Sequence, residues 1–586
     1  DNEIDSIPSH MKTMTSLQKL DMSNNRLAML PDASLYWTQM QHLELQNNQL
    51  SALPDKISRL KQITYLSLRQ NQLVQLPALL GKATNLRSLR LDENKLLNLS
   101  KDLCHLTGLT TLTVTKNQLE TMPVDIGHCE RLSTFEVTEN PWRSPPPEIM
   151  AMPGKEILAY LRRFIKARKT NKLLLEDLSL VNFPPEVLSV VNLKFLSLKR
   201  NALTEVPDDI SVMTNLEVLH LDENRLPKIP ETVYHKLHGL KTLGVSDNEL
   251  EALPAHIGEL VNLKHLHLSG NHIGRATKGQ LPAELGHCRN LVNLHLERNE
   301  ITDLPWELGT ITSIEMLKID GPAYVSPPQE IIAEGTGRVL LYLKRLYDAR
   351  DSLELNFSKK SLGHGGLLTF PMHLLEIPDL KTLKFTNNKL REIPPSAAAL
   401  SQLTLLDLRG NQLETIPSTM ARLTNLEVLD LGANRLVRLP IWVGTITRLR
   451  KLDLDQNELE SPPPSVVAEG SDGVKDFLGR IFAAYDCGKL ELVGRGLTAL
   501  PVELLEGRGQ YGDGEPGELI PHLKMLNLSD NAFEELEAEV SELSALTDLR
   551  LSQNSLRELP PTVVLLKHLL TLHAEENILE TLPVDL

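Results

Sequence analysis

Leucine and a few other apolar residues recur along this chain in a unit of 23 residues, and polar residues fill the positions between them. Within each unit the apolar residues follow the pattern L-x-x-L-x-L-x-x-N-x-L-x-x-[LIM]-P, as in the segment from Leu403 to Pro417. The alternation L-x-L has the period of a strand with one buried face. A fixed period of this length indicates stacked repeats that share a continuous core, and we count about 23 of them.

An asparagine follows the predicted strand in most repeats. A short amide that both donates and accepts hydrogen bonds suits a turn shared by adjacent units, so we expect these residues to form a ladder. The leucine–proline step that follows starts a return leg, which should be extended or a single helical turn because proline donates no hydrogen bond. The ladder consists of Asn25, Asn48, Asn71, Asn94, Asn117, Asn140, Asn201, Asn224, Asn388, Asn411, Asn434, Asn457, Asn531, Asn554 and Asn577.

Three segments break the period in the same way. Each begins with a serine and two or three prolines, and a glycine and a helical pattern of apolar residues follow. In the third segment Val474, Phe477, Leu478 and Ile481 have the spacings of three and four that place side chains on one buried helix face. The segments open with Ser144–Ile149, Ser326–Ile331 and Ser461–Val466.

The L-x-L pattern returns directly after each predicted helix. We therefore expect an α/β solenoid with one continuous parallel sheet and three inserted helices on its convex side. The alternative is four separate solenoids joined by helical hinges, but a linker rich in Gly, Ser and Pro is missing. The predicted division is repeat block 1–143, inserted helix 144–172, repeat block 173–325, inserted helix 326–352, repeat block 353–460, inserted helix 461–488 and repeat block 489–586 with a flexible Gly-rich insertion at 506–518.

The repeat resembles the intracellular leucine-rich-repeat class whose return legs read L-P-x-x-[IL]. Ras-group repeat scaffolds and the Scribble/Erbin group belong to this class. The insertion P-P-x-E-[IV] is similar to one in leucine-rich repeat-containing protein 40, although three insertions depart from the single one expected there. The resemblance implies a horseshoe-shaped fold and a protein-binding scaffold, and it does not identify the partner.

Composition narrows the expected location and partners. The net charge of −15 argues against nucleic acid as the main partner. No apolar stretch approaches the roughly 18 residues of a membrane span. Four cysteines are too few for a disulfide framework, which favours a reducing compartment. We expect a cytoplasmic protein, with a cytoskeletal or ciliary location as the alternative.

The sequence contains none of the common catalytic motifs. Nothing matches G-x-x-x-x-G-K-[ST], H-E-x-x-H, C-x-x-C or G-x-S-x-G. We expect a non-catalytic scaffold in signal transduction that binds other proteins and needs no cofactor. The alternatives are a regulatory arm of a larger signalling enzyme, such as a GTPase–kinase, cyclase or phosphatase, and a structural subunit of a large cytoskeletal or ciliary assembly.

Histidines cluster at strand positions that should face the concave surface. His220, His267 and His295 occupy the same position in three repeats, and His265 lies on the strand of His267. There are three interpretations: a solvated patch, a pH-tuned contact with a partner, and a metal ion shared by His267 and His295 with Glu297 nearby. We expect no metal here.

Two charged groups are the other candidates for partner binding. Asp407, Asp430 and Asp453 should stack into an acidic column, which is either a solvated face or a docking stripe for a basic partner. The first inserted helix is basic at Arg162, Arg163 and Lys166, and it could meet an acidic partner or a lipid surface.

Overall fold

A computed structural model of the chain describes residues 2–31, 36–320, 324–362, 365–505 and 522–583. The chain divides into two compact units. The first comprises Asp1–Ile301 and Ile311–Asp320, and the second comprises Thr302–Thr310 and Gly321–Leu586. The flexible insertion predicted at 506–518 lies outside the described residues.

The first unit contains two parallel sheets built from strands of three residues each. In almost every strand the central residue is a buried leucine. The six-stranded sheet contains β1 Lys19–Asp21, β2 His42–Glu44, β3 Tyr65–Ser67, β4 Ser88–Arg90, β5 Thr111–Thr113 and β6 Thr134–Glu136. The seven-stranded sheet contains β7 Lys172–Leu174, β8 Phe195–Ser197, β9 Val218–His220, β10 Thr242–Gly244, β11 His265–His267, β12 Asn293–His295 and β13 Met316–Lys318. The outer two residues are more exposed in most strands, but the third residue is also buried in β3, β5, β8 and β10.

The second unit also contains two parallel sheets of three-residue strands. The five-stranded sheet contains β14 Glu354–Asn356, β15 Thr382–Lys384, β16 Leu405–Asp407, β17 Val428–Asp430 and β18 Lys451–Asp453. The four-stranded sheet contains β19 Lys489–Glu491, β20 Met525–Asn527, β21 Asp548–Arg550 and β22 Thr571–His573. Consecutive strands pair in register, so equivalent residues of successive repeats lie side by side.

Return legs contain single turns of 3₁₀ helix, as the proline pattern predicts. They are Ser9–Thr13, Asp55–Arg59, Ala78–Lys82, Lys101–His105, Val124–His128, Pro185–Ser189, Asp208–Val212, Ala255–Glu259, Ala283–His287, Trp306–Thr310, Met372–Glu376, Pro395–Ala399, Ser418–Arg422, Ile441–Thr445, Ala538–Glu542 and Pro561–Leu565. The α-helices are α1 Pro147–Met150, α2 Gly154–Thr170, α3 Glu231–Lys236, α4 Gln329–Ile332, α5 Thr336–Ser352, α6 Lys359–Leu362, α7 Pro464–Ala468, α8 Gly470–Cys487 and α9 Val502–Leu505.

None of the helices in the described part of the chain is both long enough and apolar enough to span a membrane.

The ladder asparagines are buried or half-buried, and their side chains are hydrogen-bonded to the backbone. In a typical rung, Oδ1 of Asn434 accepts the backbone N–H of Leu413 in the preceding repeat at 3.1 Å. Its Nδ2 donates to the carbonyl of Leu408 in that repeat at 3.0 Å and to the carbonyl of Leu431 in its own repeat at 2.8 Å. One side chain thus satisfies backbone groups of two repeats, which water cannot reach.

Asn434→Ala should lower the free energy of unfolding by about 1–3 kcal/mol, because it leaves a buried N–H and buried carbonyls without partners. Urea denaturation followed by circular dichroism measures the loss. Asn425→Ala is the matched control, since Asn425 lies outside the ladder and donates to one carbonyl, that of Ser401. Equal losses in the two variants would contradict a structural role specific to the ladder.

The three long helices lie where the apolar spacing predicts them. Helices α2, α5 and α8 pack against the 3₁₀ turn that precedes each insertion. A glycine stands at the same place in all three turns, and a Cβ there would come within 3.1 Å of the helix backbone at Gly127 and within 2.2 Å at Gly309 and Gly444. Glycine is therefore required for this close approach.

The prediction of one continuous sheet is wrong, because the described strands form four sheets. The inserted helices occupy the strand edges that would have paired. Oγ of Ser471, at the start of α8, accepts the N–H of Leu452 in β18 at 2.8 Å. Arg163 of α2 donates to the carbonyl of Leu174 in β7 at 2.9 Å, and Arg480 of α8 donates to that of Glu491 in β19 at 3.3 Å. Side chains thus replace strand partners at these edges.

Side chains also connect the return legs on either side of an insertion. In the second unit, Nε2 of His373 lies 2.6 Å from Oδ1 of Asp303, and its Nδ1 lies 2.7 Å from Oε1 of Glu376. A carboxylate at each nitrogen favours the protonated ring. The hydrogen bond with Asp303 is the main reason that the pKa of His373 is raised above 6.5. Burial would raise the pKa of Asp303, but the hydrogen bonds of its carboxylate with His373 and Thr302 outweigh burial and lower that pKa.

His373→Ala should destabilise the second unit most between pH 3.8 and 6.5, the ordinary pKa values of the two groups. A raised histidine pKa stabilises the fold fully below pH 6.5, and this contribution is lost as the pH rises through the raised value. Urea midpoints of both proteins across this pH range provide the measurement. The exposed His568→Ala is the control, and a pH-independent difference for His373→Ala would refute the cationic bridge.

Candidate partner-binding surfaces

The first and third residues of each strand form what we call the strand face of a sheet. Their side chains do not enter the core, which is filled by the central leucines such as Leu266 and Leu429. The register places third residues in continuous columns across neighbouring strands. The fold leaves the chemistry of these columns open, so binding residues are expected there.

The histidine column lies in the seven-stranded sheet, and glycine interrupts it. The third residues in order are His220, Gly244, His267 and His295. A Cβ at Gly244 would come within 2.6 Å of both Nδ1 of His220 and Oδ2 of Asp222, so glycine makes room for these side chains. The structure therefore separates His220 from the other two histidines by one strand.

His267 and His295 stack face to face. Their ring centroids are 4.6 Å apart and the ring planes differ by 10°. Burial, followed by the charge of His295, lowers the pKa of His267 to about 4. Burial and Lys318 lower the pKa of His295 as well. His267 is thus neutral at physiological pH, and the idea of a contact tuned near neutrality does not hold for it.

His265 and Glu297 have neighbours of their own. Nδ1 of His265 lies 3.0 Å from Nδ2 of Asn293, and Oε2 of Glu297 accepts a hydrogen bond from Ser269 at 2.5 Å. Among the described residues, the group of three such side chains whose ligand atoms lie within 4.8 Å of one another is found elsewhere. Within the histidine column, His267 and His295 form a stacked pair and His220 stands apart.

The imidazole of His267 should titrate near pH 4 rather than 6.5, because the buried ring disfavours the charged form. NMR of protein labelled with ¹³C at histidine Cε1 follows the titration directly, and His267→Gln assigns the signal. Because the pKa of the folded ring is lowered, its contribution to the free energy of unfolding is present in full above pH 6.5. This contribution is lost as the pH falls from 6.5 through about 4. A midpoint at or above 6.5 would show that the ring is solvated.

The acidic column lies in the five-stranded sheet, where the register brings Asp407, Asp430 and Asp453 side by side as predicted. Each carboxylate accepts the backbone N–H two residues further on, at distances of 3.0, 3.0 and 3.1 Å. The neighbouring N–H groups pair with the next strand, whereas this one points away from it. Aspartate therefore has a local structural role at these positions.

One arginine partly neutralises the column. Nη1 of Arg409 lies 3.3 Å from Oδ1 of Asp453 and 3.8 Å from Oδ1 of Asp430. It reaches over Gly432, where a Cβ would come within 2.4 Å of the guanidinium. Burial, and then the charges of Asp453 and Asp407, still raise the pKa of Asp430. Lys384 of β15 stands in register beside Asp407 at the end of the column. Asp430 nevertheless remains in repulsion with the carboxylates on either side of it.

The basic group on α2 is divided between structural and free roles. Arg162 donates to the carbonyls of Gly127, Cys129 and Glu130 at 3.3–3.4 Å, at the end of the 3₁₀ turn beneath it. Arg163 covers the edge of β7, as described above. Lys166 is exposed. Only part of this predicted surface therefore has its charge facing solvent.

Comparison with known families agrees with the observed repeats. The family described as leucine rich repeat matches residues 2–73, 214–273, 378–436 and 401–459, and a second leucine-rich-repeat family matches residues 262–288. Over these residues the chain consists of leucine-rich repeats. No curated protein matches it.

Some of the solved structures similar to this chain come from bacteria and plants. A leucine-rich-repeat protein of Leptospira interrogans is 25% identical, with 80% of this chain and 91% of that one covered and a TM-score of 0.22. The functional domain of InlJ from Listeria monocytogenes is 17% identical, with coverage of 75% and 73% and a TM-score of 0.24. The Arabidopsis receptor kinase HAESA, in complex with the peptide hormone IDA and the co-receptor SERK1, is 20% identical, with coverage of 98% and 82% and a TM-score of 0.23.

The sequence analysis missed two features of the chain. The first is an arginine at the same position of each inserted helix, which an alignment of the three insertions would have revealed: Arg163, Arg345 and Arg480. The second is a cluster on the return legs formed by Glu231, His235 and His256. Its signal is the spacing from Asn224 to Asn248, which is 24 residues instead of 23.

Proposed function

We propose that this leucine-rich-repeat protein is a non-catalytic scaffold whose strand faces bind partner proteins. Leucine-rich repeats generally serve protein–protein interaction, and solenoids provide extended surfaces for it. The partner of the five-stranded sheet is a basic protein segment that lies along Asp407, Asp430 and Asp453. A role in signal transduction and membership of the 23-residue intracellular class belong to the same proposal.

The observation that supports this proposal is the unbalanced charge of the acidic column. Three carboxylates lie at strand spacing, Arg409 forms ion pairs with two of them, and Lys384 of β15 stands in register beside the third, Asp407. Like charges at this spacing repel each other, and a lysine or arginine from outside relieves that repulsion. The side chains of Asp430 and Asp453 remain about one-fifth exposed, at 20% and 22%, and so are accessible to a partner.

A reducing, cytoplasmic location is also part of the proposal. All four cysteines are free, and Cys129 and Cys288 are buried like small apolar residues. Burial raises the pKa of Cys129 to about 11 and that of Cys288 to about 12, so neither thiol is ionised at neutral pH.

The test replaces all three aspartates by asparagine. Reversal to lysine would also remove the acceptors of three backbone N–H groups, whereas asparagine keeps an oxygen in the same place and removes only the charge. Asp21→Asn is the matched control. Asp21 likewise accepts the N–H of the second following residue, Ser23, at 2.9 Å, but it lies in another sheet.

Fluorescently labelled lysine- and arginine-rich peptides, with glutamine-substituted versions for comparison, are titrated with each protein at several ionic strengths. The triple variant should bind basic peptides at least about tenfold more weakly, because it loses several ion pairs worth about 0.5–1 kcal/mol each. Added salt should reduce the difference. Equal affinity of the triple variant and the wild type would show that the acidic column is a solvated face.

A further inference from the structure

A second kind of site lies on the return legs of the first unit, away from the strand face. Side chains of Glu231 and His235 from α3 and of His256 from the 3₁₀ turn Ala255–Glu259 each offer one ligand atom, and these atoms all lie within 4.8 Å of one another. Two imidazoles and a carboxylate are a donor set that holds zinc in proteins.

One extra residue in this repeat creates the arrangement. The return leg after Asn224 forms the α-helix α3, in which Leu237 donates to the carbonyl of Val233, whereas the neighbouring legs form 3₁₀ turns. In an α-helix, residues four apart lie on the same face. Glu231 and His235 therefore project together toward the next return leg, while Val233 and Tyr234 are buried.

His235 is oriented as metal-binding histidines are. Its Nδ1 lies 2.9 Å from Oε2 of Glu259. A carboxylate can only accept, so Nδ1 carries the proton and the neutral ring has its lone pair on Nε2. Ligating histidines commonly donate their other N–H to a carboxylate in this way, which fixes the tautomer and the ring orientation.

His256 has a polar atom that lacks a partner. Its Nδ1 is buried and forms no hydrogen bond among the described residues. The ring meets that of His235 edge to face, with centroids 4.4 Å apart and planes at 63°. A buried ring nitrogen without a partner is costly, and a ligand at this position would remove that cost.

We propose that Glu231, His235 and His256 bind a divalent transition-metal ion, specifically Zn²⁺, with Glu259 as the carboxylate that orients His235. Imidazole nitrogens with one carboxylate favour zinc over the hard cations Mg²⁺ and Ca²⁺, which prefer oxygen ligands. The ion would join two consecutive return legs. This site is separate from the acidic column, and its failure would leave the scaffold proposal unaffected.

The test uses the untagged 586-residue chain, because a histidine tag would bind metal itself. Co²⁺ serves as the spectroscopic probe, since zinc has no visible absorption, and Zn²⁺ is then added to displace it. Wild-type protein should bind one Co²⁺ with the visible bands of a four-coordinate ion, and Zn²⁺ should remove them. Mg²⁺ should not compete.

Variants separate the cluster from the other histidines of the chain, which has 18 in all. His235→Gln and His256→Gln should abolish the bands, and Glu259→Gln should weaken binding by about 10-fold to 100-fold, as for other carboxylates that orient a ligand. His238→Gln is the matched control, because His238 is exposed and lies three residues from His235 but outside the cluster. Circular dichroism melting curves confirm that each variant is folded.

Two results would overturn the proposal. One is a wild-type chain without four-coordinate bands or Zn²⁺ competition, which would make the cluster a pair of ordinary surface histidines. The other is a result in which His238→Gln and His256→Gln lose binding equally, or in which neither variant loses it. Either outcome would place the bound ion elsewhere.

Discussion

The structure depends on the hydrogen bonds that one asparagine amide makes in most of the repeats. The N–H of Leu27 has as its acceptor Oδ1 of Asn48, in the following repeat, at 3.0 Å. Asn48 in turn donates to the carbonyl of Met22 in the preceding repeat at 2.9 Å. A repeat therefore cannot satisfy its own turn, and an unsatisfied buried amide costs about 1–3 kcal/mol. Stacking is enforced by this requirement as well as by the leucine core.

At the insertions, backbone groups of the strands find hydrogen-bond partners in an inserted helix and not in a neighbouring repeat. The chain keeps the L-x-L strand on both sides, but α2 and α8 supply hydrogen-bond partners to the strand edges. Ser471 both accepts from the N–H of Leu452 and donates to its carbonyl, at 2.8 and 3.2 Å. A hydroxyl that makes both bonds satisfies these backbone groups at the sheet edge, so no further strand is needed there. The helix is thus an edge cap as well as an apolar cover.

Much of the fold could be predicted from the sequence, because strands, turns and inserted helices depend on short-range periods. The 23-residue spacing locates Asn434 and its equivalents, and the 3.6-residue pattern locates α8. Whether the sheet is continuous could not be predicted, because this depends on whether a side chain or another strand pairs with each strand edge. Arg163 reaches Leu174 across 11 residues of sequence, and the apolar pattern carries no information about that contact.

The candidate site was predictable only in its column register. Equivalent positions of adjacent repeats must lie side by side, so Asp407, Asp430 and Asp453 are neighbours. Their exposure, and the position of Arg409 above Gly432, depend on rotamers that the pattern does not determine. The histidine column shows the same limit, since stacking and burial move His267 away from the titration range that its residue type suggests.

The positions of the acidic column have a structural role, but that role does not determine the residue type. An aspartate at the strand end accepts an N–H that no neighbouring strand can reach, but Asn527 accepts the N–H of Ser529 equally well at 3.1 Å. An uncharged oxygen is therefore a sufficient acceptor there, and no charge is needed. Three negative charges in one column exceed what the hydrogen bonds need, and they repel one another. The charge, rather than the oxygen, is therefore the property for which an explanation outside the chain is needed. A basic partner provides that explanation in physical terms.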